Sequence, residues 1–406
     1  QVEHKNPEGG DYPENIVLVL ASVNENRKAR DMDKFLLSVE KKLASVNGSK
    51  EMYDKNYNNS VKSKESSKKG HYTNDGFKNL YVEDNDKNFF DFLEMRFLSD
   101  EKWADHASLA GQVPIQAVDV ERLHAKSNMQ PGSDQPLVSW LGHSMFLVQH
   151  NKLTLLTDPI FSDRASPLSF AGPKRYVKHA MDYAELPDID IVVISHNHYD
   201  HLDNDTIEQL AVRSALQVSP IQFYVPLGLK AHLTNEGVKP NEVTEMDWWS
   251  KALAKNAFSS AEIQALPSQH WSARGLSDRL QTLWASWSIN FGDFTVWFAG
   301  DTGYNDIQFK QIGDALGKVD LALIPIGGYA PRWFMQKYHV NPNEAVKIHE
   351  DVNAIKSIGM HWGTFPLTAE EPGEPVKVLA LEKLAKGMSE DSFISLSIGE
   401  SIVIEQ

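Results

Sequence analysis

Residues 194–203, ISHNHYDHLD, put three histidines and two aspartates directly behind the apolar run Ile191-Val192-Val193-Ile194. A run that is apolar at every position reads as a strand buried on both faces, which helices or a second sheet must cover. The ligand-type residues then fall on the loop and first turn beyond its carboxyl end, where open α/β folds place their chemistry. The H-x-H-x-D-H spacing lets such a loop aim His196, His198, Asp200 and His201 into one cavity. Two metal ions fit side by side there, one taking the first two histidines and the other Asp200 and His201. A polar loop that merely caps the next helix needs no such crowding of ligand types.

Two ions need more ligands, and later apolar segments end in them. Gln269-His270-Trp271 follows IQAL, Gly300-Asp301-Thr302-Gly303 closes FTVWFA, and Met360-His361-Trp362-Gly363 follows KSIG. The two oxygens of Asp301 suit a bridge between cations, with His270 and His361 each completing one sphere. Each of these residues alone is unremarkable; together they form a set. The chain has no cysteine, so thiolate ligands, thiol catalysis and disulfides are excluded. Nitrogen and oxygen ligands with room for water favour zinc, with iron and manganese as alternatives. Two such ions about 3.5–4 Å apart lower the pKa of a water between them and clamp both oxygens of a displacement. That chemistry is hydrolytic.

The rest of the chain bounds what surrounds this centre. At 406 residues it can bury a large core. We read residues 1–70 as an N-terminal extension and 71–406 as the catalytic domain. Within the extension, IVLVLASV (16–23) reads as a strand, residues 30–46 as an amphipathic helix, and the Lys- and Ser-rich 41–70 as a solvated linker. NFFDFLEMRFLS (88–99) reads as a helix with a core-packing face, the alternative being a lipid- or partner-facing stripe. Residues 136–159 suggest two strands joined by the turn His150-Asn151-Lys152, and further strands are expected at 189–196, 294–301 and 320–327. The net charge of −15 argues against nucleic acid as partner. No run approaches the roughly 20 apolar residues of a membrane span, so a soluble or peripheral protein is expected. Export is one expectation raised by the start at Gln1 rather than Met. There is no G-x-S-x-G elbow for serine chemistry.

HNHYDH, SQHW, FAGDTGY and HWGTF, at these separations, resemble the ligand series of the metallo-β-lactamase fold hydrolases. WLGHSMFLV, LTDPIFSDRASPLSFAGPKRY and IPIGGYAPRWFMQKYHVNPNEAV look like the branch of the N-acylphosphatidylethanolamine-hydrolysing phospholipases D and their bacterial relatives, over roughly residues 70–404. The resemblance implies an α/β fold, an αββα sandwich with the metals at its mouth. It implies that His196, His198 and His270 bind one zinc, Asp200, His201 and His361 the other, and Asp301 both. It makes Asp200, Asp301 and Asp158 the catalytic carboxylates, and His339 a substrate contact. The implied reaction is attack of metal-activated water on a phosphodiester, releasing phosphatidic acid and an N-acylethanolamine. From the residues themselves, Asp158 either orients a ligand histidine or forms a turn before Pro159. Arg332, Lys337 and Tyr338 beside His339 form a cluster able to receive a phosphate, or a solvated surface. Gly172-Pro173-Lys174-Arg175-Tyr176 is either a second anion-binding loop or a rigid turn.

The expected partner is a phospholipid or another acylated small molecule, with peripheral membrane contact and a homodimer both compatible with the sequence. A lactonase or amide hydrolase on small acyl substrates is the competing activity, because one fold and ligand set supports several chemistries. A non-catalytic binding protein is disfavoured by the complete ligand set.

Overall fold

The computed structural model describes residues 70–83, 102–129, 135–275 and 277–405. The expected strand at 16–23, the helix at 30–46, the linker at 41–69 and the Phe-rich stretch at 88–99 lie outside the described residues.

Fourteen strands among the described residues form two seven-stranded sheets. The first orders β14 (Ser401–Val403), β1 (Leu137–Gly142), β2 (Met145–His150), β3 (Leu153–Thr157), β4 (Ile191–Val193), β5 (Gln222–Pro226) and β6 (Val243–Met246). The second orders β13 (Phe393–Ile394), β12 (Ala354–Met360), β11 (Val319–Pro325), β10 (Thr295–Phe298), β9 (Ser286–Asn290), β8 (Ser260–Leu266) and β7 (Lys251–Lys255). Both sheets are mixed: β14-β1-β2-β3 and β7-β8-β9-β10 pair antiparallel, while β3-β4-β5-β6 and β10-β11-β12-β13 pair parallel. Helices α1 (Val120–Ser127), α2 (Asn204–Leu216), α3 (Lys230–Asn235), α4 (Gln308–Leu316), α5 (Arg332–Met335), α6 (Pro342–Asp351) and α7 (Glu374–Lys386) complete the αββα arrangement, and α6 packs on β11, β12, α4 and α7.

In the first sheet the period-2 alternation of strand side chains divides the apolar residues between two cores, the first of which also takes in both faces of the second sheet. Trp140, Phe146, Val148, Leu155 and Val193 join Trp284, Trp287, Trp297 and Phe298 in one, while Leu141, Leu147, Leu156 and Val192 join Ile207, Leu210 and Phe223 in the other. Strands covered on both sides explain the unbroken apolar runs of the sequence. The indole Nε1 of Trp287 donates to the carbonyl of Ile194 at 2.9 Å, tying the second sheet to the end of the first just before the histidine-rich loop.

One expectation is corrected. Residues 136–159 hold three strands, not two, because the chain also turns at Gly142 (φ 108) and His143 (φ 52). Both adopt the left-handed region that breaks a ladder, inside a stretch whose composition gives no turn signal beyond a single glycine.

Candidate metal centre

Topology gathers the strand ends. β1, β3 and β4 run in one direction in the first sheet, as do β8, β10, β11 and β12 in the second. The residues just past their carboxyl ends therefore collect at one rim of each sheet: His143 after β1, Asp158 after β3, His196 to His201 beyond β4, His270 beyond β8, Asp301 beyond β10 and His361 after β12. Gly300 (φ 59) makes the close approach possible, since a Cβ there would come within 2.6 Å of Ser195 Cβ.

Two groups of buried nitrogen and oxygen atoms result. His196, His198 and His270 form one, and His143, Asp200, His201 and His361 the other, with the ligand atoms of each group within 4.8 Å of one another. In the first, His196 Nε2 lies 2.8 Å and His270 Nε2 3.3 Å from His198 Nδ1. In the second, Asp200 Oδ2 lies 2.9 Å from His143 Nε2, 3.2 Å from His201 Nε2 and 3.5 Å from His361 Nε2. Asp301 stands between them. Its Oδ2 is 3.1 Å from His361 Nε2, 3.2 Å from His201 Nε2, 3.8 Å from His270 Nε2 and 4.0 Å from His196 Nε2.

The outer shell fixes which nitrogen faces inward. His270 Nδ1–H donates to the Tyr338 carbonyl at 3.0 Å, and His361 Nδ1 faces the Gly327 carbonyl at 3.3 Å. Asp158, fully buried, accepts from Ser195 N at 2.6 Å and Ser195 Oγ at 2.5 Å, and its Oδ2 lies 2.6 Å from His201 Nδ1. Each arrangement leaves an Nε2 pointing at the cluster, which is how ligand histidines are oriented. His201 Nε2, His361 Nε2 and Asp301 Oδ1 are buried without a hydrogen-bond partner. Orphaned buried polar atoms are rare, and convergent ones of this chemistry fit divalent cations.

Electrostatics divides the histidines. Burial and the neighbouring imidazoles hold His196 and His198 well below the ordinary histidine value, and burial lowers His270 to about 4. Burial opposes charge on His201 and His361 too, but Asp301 and Asp200 outweigh it, raising His201 well above its ordinary value and His361 to about 9. Burial would likewise raise Asp200 and Asp301, yet the imidazoles around them keep both well below the carboxylate range.

The residues expected to meet substrate are distributed differently. His339 stands at the rim, its Nδ1 3.9 Å from Asp301 Oδ2 and 16% of its side chain exposed. Arg332 does not present a free charge: it donates to both oxygens of Glu344 at 3.0 and 2.8 Å and to the His339 carbonyl at 2.7 Å. Tyr338 is 2% exposed, packed with Trp271 and Ala273, and meets the centre through its backbone carbonyl. Lys337 Nζ donates to the Glu83 carbonyl at 3.0 Å. In the loop at 172–176, Arg175 is buried, donating to the carbonyls of Ile160 and Ser162 and lying over the Phe365 ring, while Lys174 is exposed.

Sequence reasoning missed His143. Its signal was the Gly142-His143 pair interrupting an apolar run, a cue for a turn. It also missed Arg274, which donates to the carbonyls of Asn197 (2.9 Å) and Leu202 (2.7 Å) and so clamps the histidine-rich loop at both ends.

The Beta-lactamase superfamily domain matches residues 154–362 of this chain. The chain is 41% identical over 304 residues to N-acyl-phosphatidylethanolamine-hydrolyzing phospholipase D 1 of Caenorhabditis elegans, covering 73% of this chain and 82% of that protein. It is 37% identical over 276 residues to the mitochondrial N-acyl-phosphatidylethanolamine-hydrolyzing phospholipase D of Saccharomyces cerevisiae, covering 66% of this chain and 57% of that one. In fold it is similar to a metallo hydrolase of Ignicoccus hospitalis, with a TM-score of 0.50 at 21% identity, covering 67% of this chain and 100% of that chain.

Proposed function

Since the chain belongs to the beta-lactamase superfamily, as a metal-dependent hydrolase of the N-acyl-phosphatidylethanolamine-hydrolysing phospholipase D branch, we propose that it is a dinuclear zinc phosphodiesterase. Its substrates are N-acylphosphatidylethanolamine-like lipids, its products phosphatidic acid and N-acylethanolamine. The observation that carries this reading is the position of Asp301 Oδ2, within 4.0 Å of nitrogens from both ligand groups. His196, His198 and His270 would hold one ion, Asp200, His201 and His361 the other, and Asp301 both. When bound, the two cations supply Lewis acidity and a water of lowered pKa.

The chain's own residues do the rest. Asp158 keeps the proton of His201 on Nδ1, leaving Nε2 as the inward lone pair. The Tyr338 carbonyl does the same for His270. Burial keeps the His339 imidazole neutral, against the pull of Asp301, so at the rim it can donate to a phosphoryl oxygen. Arg332 fixes the His339 backbone from behind. Among the described residues no helix is long and apolar enough to cross a membrane. Trp333, 55% exposed on α5 within the Arg332–His339 segment, supports peripheral contact with a lipid surface, because an indole suits the membrane interface.

The test pairs metal analysis with turnover of N-acylphosphatidylethanolamine and of an N-acyl lactone. About two zincs per chain and release of phosphatidic acid are expected. Asp301→Asn should lower the rate roughly a thousandfold or more, since a metal pair contributes several kcal/mol. Lactone opening without phosphatidic acid would transfer the reading to a lactonase.

A further inference from the structure

At the rim His143 shares an uncommon positive-φ backbone with Asp158 and His361, and its imidazole points at the Asp200 carboxylate. It is 2% exposed, with φ 52, in a region that residues with a Cβ rarely enter. Such a residue persists only where its surroundings over-determine it. Here they do. Its N–H donates to Thr364 Oγ1 at 2.9 Å, while its carbonyl accepts from Trp140 Nε1 at 2.9 Å and from the His361 N–H at 3.1 Å. The ring lies 4.3 Å from the His361 ring and meets Phe365 edge-on at 5.3 Å, centroid to centroid. Backbone and ring are thus both held, and what they deliver is Nε2, 2.9 Å from Asp200 Oδ2.

That oxygen is also the one nearest His201 and His361. A carboxylate oxygen has two lone pairs, one able to face the cluster while the other accepts a hydrogen bond. We propose that His143 is a positioning residue for the second metal: its Nε2–H fixes the carboxylate plane of Asp200 and so aims the remaining lone pair at the ion. The turn between β1 and β2 also hydrogen-bonds the first residue past β12, so one element sets both Asp200 and the backbone of His361. This inference rests on the two-metal reading above.

The experiment measures metal content, zinc affinity by competition with a chelating indicator, and the visible spectrum of the cobalt-loaded protein. These are compared for the wild type, His143→Ala and His143→Gln, with circular dichroism and thermal midpoint as a check of folding. Loss of an outer-shell partner weakens metal binding by about 10–100-fold. That loss is expected for the weaker of two ions in His143→Ala, with a changed cobalt spectrum, while the other ion is held as in the wild type. The amide of Gln can still donate, so His143→Gln should recover most of the affinity. If His143→Ala does not fold, His143→Phe carries the same expectation, filling the volume without a donor. Wild-type affinity for both ions in a folded Ala or Phe variant overturns the inference alone. Failure of Gln to recover affinity, with a cobalt spectrum showing one nitrogen fewer, overturns it in favour of direct ligation. A wild type that takes up fewer than two ions overturns the two-metal reading and this inference with it.

Discussion

His201 and His361 differ from the other histidines of the cluster in the balance of forces on them: for these two, carboxylates outweigh burial, whereas burial wins at His143 although it too faces Asp200. Asp301 and Asp200 outweigh burial and keep both rings protonated in the metal-free protein, His361 up to about 9, whereas His196, His198 and His270 are neutral there. A cation needs the Nε2 lone pair, so binding must expel a proton from each charged ring. Metal added to the metal-free protein near about pH 7.5 should therefore release at least about two protons per chain, one each from His201 and His361, beyond any given up by bound water. A titration in weakly buffered indicator dye reads this directly. Above the His361 value the release should fall by one; no release at neutral pH would mean the two rings already face the cluster unprotonated. The identities of these residues were legible because ligand types stood at strand ends in short spacing. Their protonation was not, because charge depends on what each ring faces.

The short helix α5 and the capped start of α6 act as one piece. Asn341 Oδ1 accepts from the Glu344 N–H at 2.9 Å, and Glu344 Oε2 accepts from the Asn341 N–H at 3.1 Å, a capping box. Arg332 joins that box to the His339 carbonyl. Arg332→Ala should release the loop that presents His339 while leaving the metal ligands in place. A small misplacement of a substrate-positioning group costs up to about a hundredfold, so kcat/KM should drop by roughly ten- to a hundredfold at unchanged zinc content. Loss of zinc would instead tie Arg332 to the metal centre. In the sequence, Arg332 and Lys337 read only as charge near a histidine; their partners Glu344 and the Glu83 carbonyl come from elsewhere in the fold. The same limit produced the error at β1 and β2. The only mark of a turn that needs a left-handed histidine is the single Gly142 before it, and the stretch 136–150 read as one strand.

In the whole molecule, mixed sheets of matching design bring seven strands' carboxyl ends to one mouth, beside which α5 leaves Trp333 exposed. If that face docks on lipid, Trp333→Ala should weaken sedimentation with phospholipid vesicles and slow turnover of vesicle substrate. Turnover of a short-chain soluble analogue should be unchanged; an equal loss on both would place the indole in substrate binding rather than docking. By itself the sequence determined the layered α/β fold, through apolar runs that only two-sided cover can bury, and which histidines and aspartates are candidates for ligands, through side chains whose chemistry is local and whose spacing is short. Only the tertiary structure decided that His143 joins Asp200, that Arg332, Tyr338 and Arg175 serve the scaffold, and which imidazole nitrogens face inward. Those outcomes depend on which distant groups a side chain meets once strands from both sheets converge. A hydrogen bond between residues 57 positions apart has no periodicity to betray it.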